Sequence, residues 1–290
     1  MISVILPTYN RAAYLRDSIG SVLQQEGVTL ELLVIDDGST DDTEALVASL
    51  KDDRIKYYKL PHTGRVSAMK NFAIDRSSGE FLAFMDSDDL WTPGKLARQQ
   101  ELLKANPELG FSLTDMNVFR DGATVKEYTY HTRGKVECTH IFPWIVEKGF
   151  LVYSPTLLLQ RSCLGQTGYF DETQRFDCLG FNMRLAYHYQ CGVFFEPMLL
   201  RRLHDSNDSE ENRFQNYDEY LYVYERFYKE GKIKKNILLK ARGNAFYKLG
   251  KLYASEHRQV EARKNYFLAL KNDLFHTACY RSLLKSYLCP

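Results

Sequence analysis

Glu80-Phe81-Leu82-Ala83-Phe84-Met85 runs straight into Asp86-Ser87-Asp88-Asp89. A short apolar run of this length reads as a buried strand, and here it delivers three carboxylates within four residues. Like charges crowded in this way cost free energy unless a cation or a set of donors compensates them. Oxygen ligands with no cysteine nearby suit Mg2+ or Mn2+, which commonly join one or two carboxylates to a substrate phosphate. Upstream the chain repeats one unit. Ile2 to Leu6, Leu30 to Ile35 and Ile55 to Lys59 read as strands, and about Ala13 to Gln25, Asp42 to Lys51 and Val66 to Asp75 as helices. In the first helix Leu15, Ile19, Val22 and Leu23 share one stripe. The order β-α-β-α-β-α-β predicts a parallel α/β sheet, whose ligands belong at the carboxyl ends of its strands. Polar clusters fall at those ends: Pro7-Thr8-Tyr9-Asn10-Arg11, Asp36-Asp37-Gly38-Ser39 and Asp86-Ser87-Asp88-Asp89. Such residues also make turns and N-caps, so the second cluster by itself fits either reading. The three together predict a site for a diphosphate-bearing substrate. A divalent ion at Asp88 would neutralise charge developing on a leaving pyrophosphate oxygen.

The chain has 290 residues, 44% hydrophobic and 26% charged, which suits one large domain, or one with an appendage, and excludes disorder, collagen and coiled coil. Its net charge of +1 hides an asymmetry. From Gly231 to Pro290 there are 13 Lys+Arg against 3 Asp+Glu, a net +10, so the preceding residues carry −9. An acidic body precedes a basic tail. The six cysteines show neither a C-x-x-C pair nor metal-ligand spacing and read as reduced thiols, with no zinc site. The opening Met1-Ile2-Ser3-Val4-Ile5-Leu6-Pro7 lacks a basic leader region, and no window approaches the ~18 to 20 apolar residues of a membrane span. The expectation is a cytoplasmic protein, soluble or peripheral at the inner face of the cell membrane, with no nucleic-acid partner.

Three stretches carry a resemblance. Val4-Ile5-Leu6-Pro7-Thr8-Tyr9-Asn10-Arg11, Val34-Ile35-Asp36-Asp37-Gly38-Ser39-Thr40-Asp41 and Phe84-Met85-Asp86-Ser87-Asp88-Asp89-Leu90-Trp91-Thr92-Pro93 resemble family 2 glycosyltransferases of the GT-A fold. Downstream, Ser154-Pro155-Thr156 with Gly168-Tyr169-Phe170-Asp171-Glu172 resembles the family's acceptor-side strand and turn. Arg201-Arg202-Leu203-His204-Asp205-Ser206-Asn207 resembles the segment that closes its active site. The likeness covers residues 1–210. It implies a mostly parallel nucleotide-sugar-binding sheet flanked by helices, with 1–110 as the nucleotide-sugar half and 111–210 as the acceptor half. It implies transfer of a sugar, often UDP-linked, from a nucleotide diphosphate sugar to an acceptor hydroxyl with inversion. By the same likeness Pro7, Thr8 and Tyr9 line the base pocket, and Asp37 accepts a hydrogen bond from the base. Lys70 faces the nucleotide or its phosphates, Asp86 and Ser87 sit by the nucleotide, and Asp88 holds Mn2+ or Mg2+ with His204 near the pyrophosphate or the metal. The acceptor implied is a glycan, lipid-linked or protein-linked, in surface polysaccharide or glycoconjugate synthesis.

The sequence departs from the family at the catalytic base, the carboxylate that takes the acceptor's proton. Counting back from Arg184-Leu185-Ala186 puts Asp177 where the family has Glu, and Cys178 where it has the base aspartate. A thiol of ordinary pKa is a poor substitute. Either Asp177 serves after a one-residue shift, or another carboxylate does, or the enzyme is weak or inactive.

After residue 210 helical periodicity takes over. Phe246-x-x-Leu249-Gly250-x-x-Tyr253 followed by Ala262, Tyr266 and Ala269 fits one tetratricopeptide-like helix-turn-helix. A single unit cannot bury its own apolar face and needs a neighbour. Tyr217, Tyr220, Tyr222, Tyr224, Phe227 and Tyr228 before it read as a packing helix. The basic tail suggests contact with an anionic membrane surface or self-association. Two other readings compete. A sugar-phosphate nucleotidyltransferase would need a glycine-rich loop after the first strand, which is absent here; a nucleotide-binding protein without turnover draws support from Cys178.

Overall fold

The computed structural model of the chain describes residues 1–120, 122–127, 136–150, 152–205 and 214–288. They divide into two compact units, Met1–His204 and Asp205–Pro290. The boundary expected at residue 210, and Ser206 and Asn207 of the closing segment, lie outside the described residues.

The first unit is built on one sheet. Its strands are β1 (Ile2–Thr8), β2 (Leu30–Asp36), β3 (Ile55–Lys59), β4 (Phe81–Phe84), β5 (Leu90–Trp91), β6 (Leu109–Arg120), β7 (Ala123–Glu127), β8 (Val136–Thr139), β9 (Leu157–Gln160) and β10 (Gln190–Arg202). Their order is β3-β2-β1-β4-β9-β6-β10-β5, with β7 on β6 and β8 on β10. The first four strands are mutually parallel, β9 runs against both β4 and β6, and β10 returns parallel to β6. The expected halves 1–110 and 111–210 therefore share a continuous sheet, and β6 begins where they meet.

Every residue of β1 and β2 is buried, as expected of parallel strands with helices on both faces. On one face Val4, Leu6, Val34 and Ala83 pack with Leu15, Ile19 and Val22 of α1 (Ala12–Leu23) and Leu96 of α4 (Lys95–Ala105). α2 (Thr43–Ser49) adds Val47 to this face. The other is covered by α3 (Val66–Arg76), which contributes buried Met69, Ala73 and Ile74. There Phe84 meets Phe170 and Phe181 edge-on, and those two rings stack 4.1 Å apart. Aromatic pairs of this kind add about 0.5–1.5 kcal/mol beyond the area they bury. α5 (Phe142–Lys148), the short α6 (Leu164–Thr167) and α7 (Cys178–His188) complete the unit.

Among the described residues the second unit holds four helices: α8 (Gln215–Lys229), α9 (Lys235–Ser255), α10 (Gln259–Asn272) and α11 (Thr277–Leu288). Val223, Tyr224 and Phe227 of α8 are buried, so this helix packs as its aromatic density suggests. α9 and α10 form a helix-turn-helix. A Cβ on Gly250 would come within 2.5 Å of the Tyr266 ring, so the close approach of the two helices depends on that glycine. Ala262, Tyr266, Ala269 and Cys279 form its small core.

Candidate functional site

The loops that leave β1, β2 and β4 meet at one edge of the sheet, and the first two are knitted together. Asp37 N donates to the Thr8 carbonyl at 2.9 Å. Asn10, held in the left-handed region at φ 49°, accepts from Thr40 N at 2.8 Å, and its own N–H donates to Ser39 Oγ at 2.8 Å. Pro7 and Thr8 are buried at this junction. The Thr8 hydroxyl has no partner among the described residues, an arrangement that leaves a buried donor for something else to satisfy. Tyr9 is 39% exposed, with its ring stacked 4.1 Å from that of His62.

Asp37 is committed to the chain itself. Its Oδ1 accepts from Thr63 N at 2.9 Å, and its Oδ2 accepts from Gly64 N at 2.8 Å and lies 2.9 Å from His62 Nδ1. The carboxylate expected at a base thus also fastens the 62–64 loop under Tyr9. Gly38 allows this: at φ +77°, a Cβ there would lie 3.0 Å from His62 N.

The acidic loop after β4 gathers the expected metal residues. Asp88 Oδ2 lies 3.0 Å from His204 Nε2, and the two side chains are 17% and 8% exposed. The His204 ring stacks on Tyr14 of α1 at 4.4 Å. Arg202 holds the loop from the end of β10: its Nε donates to the Asp88 carbonyl at 2.9 Å, and its backbone N–H donates to Asp89 Oδ1 at 2.9 Å. Burial, then the Asp88 and Asp86 carboxylates, push Asp89 well above the usual carboxylate range. Burial also raises Asp86; Lys70 pulls it back and Asp88 adds to the rise. Ser87 is buried between the two. The loop therefore carries an excess of negative charge that a cation would relieve. Among the described residues no three His, Cys, Asp or Glu side chains form a metal cage. One carboxylate with one imidazole is instead the sparse donor set of a site whose ion is completed by substrate oxygens, so the residues present fit a divalent ion bound together with a diphosphate.

Lys70 enters from α3. It is 1% exposed, its Nζ lies 5.0 Å from the Phe170 ring centre and 5.5 Å from that of Phe84, and it approaches Cys178 Sγ at 3.4 Å. A buried ammonium is costly without compensation, and this one sits close enough to Asp86 to lower that carboxyl.

Asp177, the expected base, has a side chain that is 2% exposed and paired with Arg184 at 2.8 Å. The same Oδ2 accepts from Asp171 N at 2.7 Å. Arg184 in turn donates to the carbonyls of Thr167 and Tyr169. The buried carboxylate and its guanidinium together anchor the turn at 167–171. The Asp177 backbone is left-handed at φ 44°, just before α7, and a Cβ on Gly180 would stand 2.0 Å from its Oδ1.

The acceptor-side segments join this edge through the backbone. Trp91 Nε1 donates to the Pro155 carbonyl at 2.9 Å, and Gln99 Nε2 to that of Thr156 at 3.0 Å. Asn71 fastens 170–172 from α3: its Oδ1 accepts from Phe170 N at 3.0 Å and its Nδ2 donates to Glu172 Oε1 at 2.8 Å. His62 and Tyr14 carry no signal in the sequence, whereas Asn71 directly follows Lys70 and Arg202 is half of a dibasic pair at the start of the closing segment.

A mixed sheet whose parallel half gathers an acidic loop, a buried lysine and the first two strand ends at one edge defines a GT-A type of α/β enzyme. The fold is that of S. aureus TarS crystallised in complex with UDP-GlcNAc, to which the chain is similar at a TM-score of 0.68 with 20% identity, over 99% of this chain and 89% of that one. Residues 3–165 match the model of glycosyl transferase family 2, and the chain belongs to that family: it is a glycosyltransferase. It is 26% identical over 85% of its length to an uncharacterized glycosyltransferase of Rickettsia typhi, 77% of which it covers. It is 34% identical over 44% of its length to the Escherichia coli UDP-Glc:alpha-D-GlcNAc-diphosphoundecaprenol beta-1,3-glucosyltransferase WfgD. That match spans 50% of WfgD. Among the described residues no helix is long and apolar enough to cross a membrane.

Proposed function

We propose that the chain moves a sugar from a nucleotide diphosphate sugar, of the UDP-linked kind, to a hydroxyl of a growing surface glycan, with inversion at the anomeric carbon. The observation that carries this reading is the pairing of Asp88 with His204 inside a cluster of carboxylates whose protons are held unusually tightly. The UDP-GlcNAc-bound TarS structure and the naming of WfgD support a UDP-linked donor and a lipid-linked acceptor.

In this reading Pro7, Thr8 and Tyr9 form the wall for the base, Thr8 using its unpartnered hydroxyl. Asp37 takes the base by giving up one of its bonds to the 62–64 loop. Lys70 and Ser87 face the diphosphate, and Asp86 the ribose. Mn2+ or Mg2+, held by Asp88 and His204, would supply Lewis-acid compensation for charge on the leaving diphosphate. Arg202 keeps Asp88 in place through its carbonyl. The acceptor's proton reaches Asp177 only if the turn around 171–177 opens; held by Arg184, that carboxylate positions the turn.

A second reading is favoured by one observation, the thiol of Cys178 opposite Lys70 where the family resemblance implies a carboxylate. It makes the chain a nucleotide-binding protein with weak or no turnover. Thermal-shift measurement with UDP, GDP and their sugar conjugates, with and without Mn2+, tests the first reading, because a ligand that binds the folded state raises its stability. Metal-dependent stabilisation by one donor together with its slow hydrolysis is the expected result. Stabilisation without hydrolysis or transfer to any acceptor selects the second reading, and no stabilisation by any nucleotide overturns both.

A further inference from the structure

The described residues include fifteen exposed large hydrophobic side chains, and seven of them fall between Val260 and Tyr287. In α10, Val260 and Phe267 stand seven residues apart on the solvent side, interleaved with exposed Lys264 and Lys271. The opposite side of that helix supplies Ala262, Tyr266 and Ala269 to the core. In α11, Tyr280, Leu284 and Tyr287 follow the i, i+4, i+7 spacing of one face, while Cys279 and Ser286 are buried. The stripes adjoin, because Arg263 of α10 lies over the Tyr287 ring at 4.2 Å and donates to the Ser286 carbonyl. The turn between the helices adds Leu274 and Phe275, the latter 90% exposed, and Tyr280 ties that turn down by donating to the Leu274 carbonyl at 3.0 Å.

Charge selects what this face meets. From Gln259 to Leu288, the span of the two helices, the chain has five Lys or Arg and two carboxylates, Glu261 and Asp273. Glu261 is paired with Arg258 at 2.7 Å, and Asp273 is spent within the turn, accepting from Phe275 N at 3.1 Å. A face of aromatic and aliphatic side chains bordered by cations, with no free anion, complements a surface that is apolar beneath and anionic on top. A second copy of the same face would bring five cations against five.

We propose that the α10–α11 face of the second unit docks on anionic lipid bilayers, with Phe275, Leu274 and Leu284 entering the headgroup region and Lys264, Lys271, Arg281 and Lys285 meeting lipid phosphates. The inference concerns only the second unit and holds whichever donor the first unit takes. The face uses apolar insertion as well as charge, so salt weakens it without abolishing it.

The test is sedimentation of the full chain with vesicles of equal parts phosphatidylglycerol and phosphatidylcholine, and with vesicles of phosphatidylcholine alone. Phe267→Ser/Phe275→Ser/Leu284→Ser and Lys264→Gln/Lys271→Gln/Lys285→Gln are compared with the parent chain, all at exposed positions, with thermal melts showing that the variants remain folded. Expected are binding to the anionic vesicles, loss of affinity by about tenfold or more in each variant, and much weaker binding to phosphatidylcholine. The proposal is overturned if the parent chain stays in the supernatant with anionic vesicles at low salt, or if the apolar variant binds as the parent does. It is equally overturned if the parent is a dimer that the apolar variant converts to monomer while vesicle binding is unchanged, since the face would then belong to a second copy.

Discussion

The Nζ of Lys70 lies 3.4 Å from the Sγ of Cys178, and this buried ammonium forms no ion pair with a described carboxylate. A charge kept in such a place contributes little to folding, because desolvation offsets what its surroundings return. Lys70→Met therefore leaves the melting temperature unchanged or raises it. Donor affinity falls by roughly 10- to 100-fold, the size of one lost charge-assisted contact. Calorimetric titration with the nucleotide sugar beside a thermal melt separates the outcomes. A lysine needed only for packing would lower the melt and leave affinity alone.

Asp177→Asn exchanges a carboxylate for an amide beneath Arg184. Removing one partner of a buried ion pair costs about 3–5 kcal/mol, or very roughly a 10 °C fall in melting temperature for a chain of this size. Thermal denaturation measures it. An unchanged melt with abolished transfer would return Asp177 to the role of proton acceptor.

Asp88→Ala relieves Asp86 and Asp89 of a like charge but also removes the carboxylate that His204 meets at 3.0 Å, so the melt of the protein without ligand changes little. The additional stabilisation given by Mn2+ with a nucleotide diphosphate disappears, and with it metal-dependent transfer. Thermal shifts read the first two effects and product formation the third; persistent Mn2+ dependence would remove Asp88 from the metal.

Glu31 governs stability in acid. Burial raises its pKa, but hydrogen bonds from Lys56, Ser3 and Ser78 outweigh this and hold it at about 2, against an ordinary 4.5. The folded state therefore binds fewer protons than the unfolded state between these values. Its contribution, on the order of 2–3 kcal/mol, is complete above pH 4.5 and is lost as the pH falls toward 2. Urea unfolding at a series of pH values should show a shallower loss of stability below pH 4.5 in Glu31→Gln than in the parent.

The donor-side architecture was legible because each strand, loop and helix of residues 1–91 is a local unit with its own hydrophobic period. Asp88 and His204 were legible through family motifs, although 116 positions separate them in the chain. Counting along the chain located Asp177 but not its orientation. Its left-handed backbone and the guanidinium of Arg184 turn the carboxylate inward. His62 and Tyr14 were not legible at all: each matters through a ring stacked on a residue distant in sequence, and no short-range pattern records such a contact. The exposed apolar face of α10 and α11 escaped for a related reason, since periodicity locates a stripe without saying which side a neighbour covers.

β9 runs against β4, which brings its leading turn, Ser154–Thr156, beside the loop that ends β4. The joint is made by Trp91 and Gln99 to two carbonyls. A joint that reads main chain instead of side chains is indifferent to the identity of the residues it grips. Substitutions within Ser154–Thr156 that keep the backbone path of the turn should therefore leave this joint intact.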